Sequence, residues 1–179
     1  MKIIETIYNG YRFRSRLEAR WAVFFDALGV PYEYEKEGYY LDEAGCYLPD
    51  FWLPQQQGWV EIKGPEPTDN DALKACALAY DTKEPVFVFV GEIRPDIRSY
   101  FAHPAHHPSK LAFLVPCFAW AESETSHCPC GRFAIHSVPD ESFPFGLCDH
   151  GYKLWFDSPR LHNAYTAARQ ARFEHYGAS

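Results

Sequence analysis

The sequence lacks any long hydrophobic run. No apolar stretch reaches the roughly 18–20 residues that a membrane-spanning helix needs. The first five residues, Met1 to Glu5, also lack the charged and then apolar pattern of a secretory signal. From these absences we predict a protein of the cytoplasm that has no membrane partner.

Basic residues are outnumbered as well: the chain has 17 Lys and Arg against 24 Asp and Glu, which gives a formal net charge of −7. This surplus of acid argues against a protein that coats nucleic acid nonspecifically. It does not exclude a nuclease, since a metal site needs clustered carboxylates and a local basic patch can still bind the backbone. Internal repeats and low-complexity linkers are absent. The length of 179 residues suits one domain, or a core domain with a small appendage.

The spacing of apolar residues predicts an α/β fold with a mixed sheet. The predicted elements are a helix over Ser15–Leu28 that stops at Gly29, strands over Tyr32–Glu35, Gly45–Leu53 and Trp59–Lys63, a helix over Thr68–Tyr80, and a strand over Pro85–Val90. Further on, we predict a strand within Leu111–Trp120, a small unit rich in Cys, Pro, Gly and His over 121–157, and a closing helix over Pro159–His175.

A carboxylate and lysine pattern stands on the second and third of these strands. Glu61 follows Asp50 by eleven residues, and Lys63 follows Glu61 by two. Side chains alternate along a strand, so Glu61 and Lys63 share a face. A hairpin turn at residues 54–58 would bring Asp50 beside Glu61. Paired carboxylates with open water positions suit Mg²⁺, and an adjacent lysine can stabilise the charge that grows on a phosphoryl group during hydrolysis.

Each of these residues also has a structural interpretation. Asp50, which follows Pro49, could be a turn or bulge residue. Glu61 and Lys63 could form an ion pair on a solvated strand face, which is common for a lone Glu-x-Lys. The conjunction of all three on two adjacent aromatic strands favours the metal site, with the backbone carbonyl of Ile62 as an additional ligand.

The segments 14–21 (RSRLEARW), 47–51 (YLPDF) and 60–64 (VEIKG) resemble the PD-(D/E)xK nuclease superfamily, which has the restriction-endonuclease-like fold. More closely, the chain resembles small phage and prophage members with this core and a cysteine-bearing tail. The resemblance implies an αβββαβ core, metal binding by Asp50 and Glu61, a catalytic Lys63, and completion of the site by Glu18. Glu18 has a competing interpretation, because Ser15-x-x-Glu18 is a capping box.

Basic residues precede and begin the first predicted helix. Arg12, Arg14, Arg16 and Arg20 are candidates for nucleic-acid binding, against the alternative of a solvated helix face paired with acids. A second and weaker group of arginines lies on the closing helix, at positions Arg160, Arg169 and Arg172. Lys74 and Tyr80 on the second helix are further candidates, although the structural interpretation, a solvent-facing lysine and a core tyrosine, is favoured for both.

The sequence has six cysteines. A tight Cys-x-Cys pair in a cytosolic chain points to metal more than to a disulfide. We predict a structural Zn²⁺ site that resembles a zinc ribbon, with ligands Cys128, Cys130, Cys148 and His150. His127 or His136 could replace one ligand, and free buried cysteines are the alternative. Cys46, Cys76 and Cys117 are isolated and are predicted to be small core residues.

Together these features predict a nuclease core over residues 1–116 and a zinc-ribbon-like unit with a closing helix over 117–179. The predicted activity is DNA endonuclease with Mg²⁺ or Mn²⁺ as the catalytic ion and no organic cofactor. The alternatives are a DNA-binding or scaffolding protein that does not cleave, and an RNA nuclease. A chain with one site that cuts both strands would need to act as a homodimer.

Overall fold

The structure is a computed structural model that describes residues 5–42, 44–108, 113–114, 118–129, 131–137, 145–147 and 150–173. Within these residues the elements are, in chain order, β1 (Thr6–Tyr8), β2 (Tyr11–Phe13), α1 (Arg16–Leu28), β3 (Glu33–Tyr34), β4 (Tyr39–Leu41), β5 (Gly45–Tyr47), β6 (Phe51–Leu53), β7 (Gly58–Lys63), α2 (Asp69–Thr82), β8 (Val86–Val90), β9 (Arg98–Ala102), β10 (Phe113–Leu114), β11 (Phe118–Ser123), β12 (Phe133–Ser137), β13 (Phe145–Leu147), β14 (Lys153–Trp155) and α3 (Pro159–Gln170).

The centre of the fold is a six-stranded sheet with the order β10-β9-β8-β7-β6-β3. Strands β7 and β8 are parallel, and α2 provides the crossover between them. The other neighbouring pairs of this sheet are antiparallel. The predicted α/β class with a mixed central sheet is therefore confirmed.

Helix α1 forms where the sequence predicts it. The Ser15 side chain caps the helix by accepting a hydrogen bond from the Glu18 N–H, and Gly29 ends it in a left-handed conformation with φ of 68°. Its apolar face packs on the sheet, where the rings of Trp21 and Phe89 stack with centroids 4.9 Å apart. Phe25 is fully buried in the same cluster.

Helix α2 covers the opposite face of the sheet. A capping box starts it, in which Thr68 and Asp71 exchange hydrogen bonds between side chain and backbone. Alternation along β7 and β8 divides the strands between two cores, so Val60 and Phe87 face the α1 side whereas Trp59 and Val88 face the α2 side. The Glu61 side chain shares the parity of Trp59 and therefore belongs to the α2 side.

Two predicted strands are wrong as single elements. Gly45–Leu53 is divided into β5, which pairs with β4, and β6, which joins the central sheet. Pro49 lies between them and has no N–H to contribute to a ladder, which favours a break there. Leu111–Trp120 is also divided, because β10 belongs to the central sheet and β11 to another sheet. Residues 111–112 and 115–117 of that prediction lie outside the described residues.

Both ends of the described chain differ from the prediction. An unpredicted hairpin, β1–β2, turns at Asn9 and Gly10, whose φ values are 47° and 81°. The closing helix α3 ends at Gln170 and not at His175, because Ala171 leaves the helical region with ψ of 125°. The chain then places Phe173 edge-on against Tyr8, with ring centroids 6.0 Å apart.

The C-terminal part contains a four-stranded sheet with the order β12-β11-β14-β13, followed by α3. It shares a hydrophobic cluster with α1, since the rings of Trp120 and Tyr165 lie 5.5 and 4.6 Å from that of Phe24. Gln56, in the turn between β6 and β7, bonds to the backbone of Phe133 and Ile135. The predicted division at residues 116 and 117 stays a prediction. Among the described residues, no helix is long and apolar enough to span a membrane.

Candidate active site

The β6–β7 hairpin sets the register of the carboxylates. Phe51 pairs with Val60 and Trp52 pairs with Trp59. Asp50 directly precedes Phe51 and Glu61 directly follows Val60, so the same antiparallel register places Asp50 across from Glu61. The hairpin turn predicted from Pro54 to Gly58 is thus confirmed, and the chain brings the two carboxylates together as predicted.

Asp50 is almost completely buried, with 2% of its surface exposed. One carboxylate oxygen accepts the Ile62 N–H at 2.7 Å, and the other accepts a hydrogen bond from the Arg14 guanidinium at 2.6 Å. Burial raises the pKa of Asp50 well above its usual value, and the nearby charges of Glu61 and Glu18 raise it further. The Ile62 N–H and Arg14 oppose this effect without cancelling it. Asp50 therefore lies at a buried position where two other carboxylates act on it and one guanidinium contacts it.

Glu61 is also buried, and both of its oxygens have partners. One accepts a hydrogen bond from the Tyr47 hydroxyl at 2.8 Å, and the other lies 2.9 Å from the Lys63 amine. Burial and then the charge of Glu61 raise the pKa of Tyr47 well above its usual value, so this phenol remains a donor. Tyr47 and Lys63 thus hold the Glu61 carboxylate in one orientation.

Lys63 connects the sheet to α2. Its amine lies 2.9 Å from Glu61 and 2.9 Å from Asp71 in the first turn of α2. Burial acts to lower the pKa of Lys63, but the two carboxylates outweigh it, so the pKa rises and the amine stays charged. Asp71 also accepts hydrogen bonds from the backbone and side chain of Thr68, at 2.8 and 2.6 Å. Burial acts to raise the pKa of Asp71, whereas these bonds and Lys63 lower it to about 2.

Glu18 is buried at the start of α1, on the Asp50 side of the site. Its carboxylate accepts hydrogen bonds from the Tyr34 hydroxyl at 2.6 Å, the Ser15 hydroxyl at 2.7 Å and the Arg14 N–H at 3.2 Å. The Ser15 and Arg14 donors lie next to the start of α1 and fit a capping role for Glu18, whereas Tyr34 reaches it from β3. The charge of Glu18 nevertheless acts on Asp50, which fits a place beside the metal ligands, so the catalytic role of Glu18 stays a prediction.

An open cleft of about 820 Å³ leads to these groups. Its lining includes Arg14, Tyr47, Glu61, Lys63, Asp71 and Lys74. Tyr80, the other candidate on α2, instead contacts His107 and Lys83. Cys46 is exposed and lines the cleft, so its prediction as a core residue is wrong, whereas Cys76 is buried as predicted.

Sequence reasoning missed two groups of the site, Tyr47 and Asp71, and one contact, that of the candidate Arg14 with Asp50. Tyr47 stands inside the motif segment, and its position two residues before Pro49 was a usable signal. Asp71 is the fourth residue of Thr68-x-x-Asp71, which is readable as a capping box although not as a partner of Lys63. The contact of Arg14 with Asp50 joins positions 36 residues apart and had no local signal.

The donor set fits a divalent cation. Asp50 and Glu61 supply hard oxygen atoms in a buried pair, which is the chemistry that Mg²⁺ or Mn²⁺ prefers. Because the N–H and C=O of one strand residue point to the same side, the Ile62 carbonyl lies on the edge where its N–H meets Asp50. Within the described residues, no group of three or more His, Cys, Asp or Glu side chains is arranged to hold a metal ion.

The four arginines near the first helix occupy separate surroundings. Arg12 pairs with Glu5 on the surface of the hairpin, and Arg14 bridges Asp50 and Glu35. Arg16 and Arg20 are half-buried on α1. Arg20 lines a second pocket together with Arg169 and Arg172 of the C-terminal part. Arg160 instead pairs with the buried Glu122.

The predicted zinc ligands are only partly within the described residues. Cys128 is buried, and its carbonyl accepts the N–H of Gly131 in a tight turn. His150 is exposed. Cys130 and Cys148 lie outside the described residues, as does Cys117. The zinc site therefore stays a prediction.

A scan of the chain against protein-family models, a search of curated proteins and a search of solved structures each gave no match. The assignment of a function to this cleft therefore rests on its own residues and their geometry.

Proposed function

We propose that the chain is a divalent-metal-dependent nuclease that hydrolyses phosphodiester bonds in DNA, with Mg²⁺ or Mn²⁺ as the catalytic ion. The observation that carries the proposal is the hairpin register that sets Asp50 across from Glu61, with the Lys63 amine 2.9 Å from Glu61. The chain thereby joins a paired carboxylate site to a permanently charged amine at the base of an open cleft.

The topology supports a restriction-endonuclease-like core. Counting only the central sheet and the helices that cover it, the order begins α1, β3, β6, β7, α2 and β8, and the strands β9 and β10 follow. This is an αβββαβ arrangement with a parallel pair, β7 and β8, at its centre. The carboxylates lie on β7 and at the start of β6, as the resemblance implies.

The residues divide the chemical tasks among them. Asp50, Glu61 and the Ile62 carbonyl would hold the cation, which when bound activates a water molecule and polarises the phosphoryl group. The Lys63 amine is placed to stabilise the negative charge that develops on the transferred phosphoryl oxygens. Tyr47 orients Glu61 through its hydrogen bond, and Arg14 can contact a phosphate at the mouth of the cleft.

The test is cleavage of supercoiled, linear, branched and single-stranded DNA, and of RNA, with Mg²⁺ or Mn²⁺. We expect at least one DNA substrate to be cut, and Asp50→Ala and Lys63→Ala to abolish cutting. Preferential cutting of RNA would correct the substrate. Product analysis separates nicks from double-strand cuts, and sedimentation with DNA shows whether a homodimer makes the latter. Absence of cleavage on every substrate with either ion would refute the proposed nuclease activity.

One observation favours a second candidate, a DNA-binding or scaffolding protein. Arg14 and Lys63 are both bonded to carboxylates of the site, so the cleft neutralises part of its own charge without a metal. For this candidate, DNA binding in a chelator should survive Asp50→Ala, and no ion should induce cleavage.

We also propose a structural Zn²⁺ in the tail, held by Cys128, Cys130, Cys148 and His150. The support is the sequence pattern together with the buried position of Cys128 at a turn that includes Gly131. Metal analysis of protein purified without added metal should find about one equivalent of zinc per chain. A preparation that is folded and essentially free of zinc would refute the site.

A further inference from the structure

A second pocket, which we call the arginine pocket, lies where α1 meets the end of α3. It has a volume of about 560 Å³ and is lined by Arg20, Arg169, Gln170, Ala171 and Arg172. Arg20 comes from α1, and the other residues come from the last turn of α3 and the two positions after it. Segments far apart in sequence thus place three guanidinium groups around one opening.

Among the described residues, the charge of the arginine pocket is not matched by acid. No described residue of its lining is a carboxylate, and the ion pairs found in this part of the chain use none of its three arginines. Arg12, Arg14, Arg98, Arg132 and Arg160 all have a carboxylate partner. The Nε of Arg20 is moreover buried without a hydrogen-bond partner among the described residues.

These features indicate the chemical class of ligand that the arginine pocket would bind. Like charges held close together repel, and a buried donor without an acceptor is costly. A planar guanidinium presents paired N–H donors that match the oxygens of a phosphate group. An anion with several oxygens therefore relieves the repulsion and supplies the acceptor that Arg20 Nε lacks.

The position of the arginine pocket relates it to the cleft. Ser15, the cap of α1, is bonded to Glu18 and adjoins Arg14, which lines the cleft. Arg20 lies five residues further along, which is roughly 8 Å at the rise of an α-helix. A nucleic-acid strand advances by about 3.4 Å per nucleotide along its axis. The two openings are therefore separated along α1 by roughly two to three nucleotides.

We infer that the arginine pocket binds a phosphodiester group of the strand whose scissile bond occupies the cleft, roughly two to three nucleotides away. The inference rests on the proposed function for the identity of the ligand, because it takes the anion to be part of the substrate. The shared chemistry is a phosphate group, and a free phosphate-bearing anion is the competing source.

The test measures binding without catalysis. In a chelator, the affinity of the full chain is measured for a labelled oligonucleotide long enough to cover both openings and for a dinucleotide, over a range of salt concentrations. The test variant is Arg169→Gln with Arg172→Gln, since both side chains are exposed and their removal spares the core. The matched control is Lys83→Gln with Lys153→Gln, which removes the same charge from positions that line neither opening.

The double arginine variant should bind the long oligonucleotide about tenfold more weakly, with a salt slope smaller by about 0.7–0.9, because the contact with one phosphate is lost. Its affinity for the dinucleotide should not change, and the lysine control should behave like the unmodified chain. Equal binding of the long oligonucleotide by the arginine variant and the lysine control would overturn the inference.

Inorganic pyrophosphate separates the two sources of the anion. If it binds the arginine pocket as tightly as the oligonucleotide does, the pocket is a site for a free anion and the inference fails. Failure of the nuclease proposal has a different signature. A chain that cuts nothing, but whose oligonucleotide binding depends on Arg169 and Arg172, retains the phosphate site without the activity. A chain that cuts DNA but binds equally well without these arginines retains only the activity.

Discussion

The cleft and the arginine pocket both border α1, yet they satisfy their charges in opposite ways. In the cleft, buried carboxylates outnumber the cations that reach them, and Arg14 and Lys63 each bridge two acids. In the arginine pocket, three arginines share one lining that has no carboxylate among the residues the structure describes. The first is suited to gain a cation and the second to gain an anion.

The difference reconciles a net charge of −7 with the polyanionic substrate that we propose. The acidic surplus is concentrated partly in a buried site that a divalent ion would neutralise. The positive charge that a phosphate backbone would meet is left free at one edge. Substitutions in and around the cleft test whether it favours a cation, as those of Arg169 and Arg172 test whether the arginine pocket favours an anion.

The largest effect is expected from Lys63→Met. Loss of the amine removes charge stabilisation from the transition state, so cleavage should slow by about 10²–10³-fold. The affinity for Mg²⁺ should not fall, since an amine is not an oxygen ligand and Lys63 is bonded to the proposed ligand Glu61. Single-turnover cleavage and calorimetric titration with Mg²⁺ measure the two effects separately. Lys74→Met, in the same cleft, is the control and should retain most of the activity.

Arg14→Met tests whether the cleft is built to gain a cation. The guanidinium is bonded to Asp50 and would compete with a cation for it, so its removal should tighten Mg²⁺ binding about tenfold, or ~1.4 kcal/mol. In a chelator the same variant should unfold more easily by about 2 kcal/mol, because Asp50 is left buried without its partner. Arg12→Met, which breaks an exposed pair with Glu5, should do neither. Weaker Mg²⁺ binding by Arg14→Met would contradict the competition.

The sequence predicts the core of this site for identifiable reasons. Strand periodicity alone puts Glu61 and Lys63 on one face, and the turn residues 54–58 predict the hairpin that adds Asp50. Ser15 and Gly29 mark both ends of α1. The neutralising contacts could not be predicted, because Arg14 reaches Asp50 only through tertiary packing and no local pattern encodes that approach.

Other misses have physical causes as well. Pro49 is the signal for the break between β5 and β6, but the apolar pattern on both sides of it favoured one continuous strand over Gly45–Leu53. The Asn9-Gly10 pair is a hairpin turn signal, so the β1–β2 hairpin was predictable from the sequence. The end of α3 at Gln170 has no such signal, since the next six residues include no glycine or proline, and the chain instead turns to pack Phe173 on Tyr8.

Acid titration tests the contribution of Asp71 to the free energy of unfolding. The pKa of Asp71 in the folded state is about 2, below the usual value of about 3.9. Its ionised carboxylate therefore stabilises the fold fully when the pH is above the usual pKa, and this stabilisation is lost as the pH falls towards 2. Asp71→Asn should remove about 2 kcal/mol of unfolding free energy at neutral pH and flatten the pH dependence between 4 and 2. Urea unfolding over this range measures the effect, with Asp69→Asn in the same helical turn as the control. Parallel curves for Asp71→Asn and the unmodified chain would contradict it.

The smallest expected effect is that of Tyr34→Phe. This change removes the hydroxyl donor 2.6 Å from the buried Glu18, which should cost about 1–2 kcal/mol of unfolding free energy. Tyr39→Phe, which breaks an exposed bond to Glu37, should cost less than about 0.5 kcal/mol. If both variants lose the same amount, as judged by urea unfolding, Glu18 does not depend on Tyr34.

The packing of α3 on α1 has a consequence for the order of assembly during synthesis. The ring of Phe24 is enclosed partly by Trp120 and Tyr165, which leave the ribosome long after α1. Gln56, in the turn that aligns Asp50 with Glu61, is likewise bonded to residues of β12. A nascent chain that ends near β9 therefore exposes an aromatic surface and has an unsupported hairpin. The site reaches its final form only when almost the whole chain has emerged.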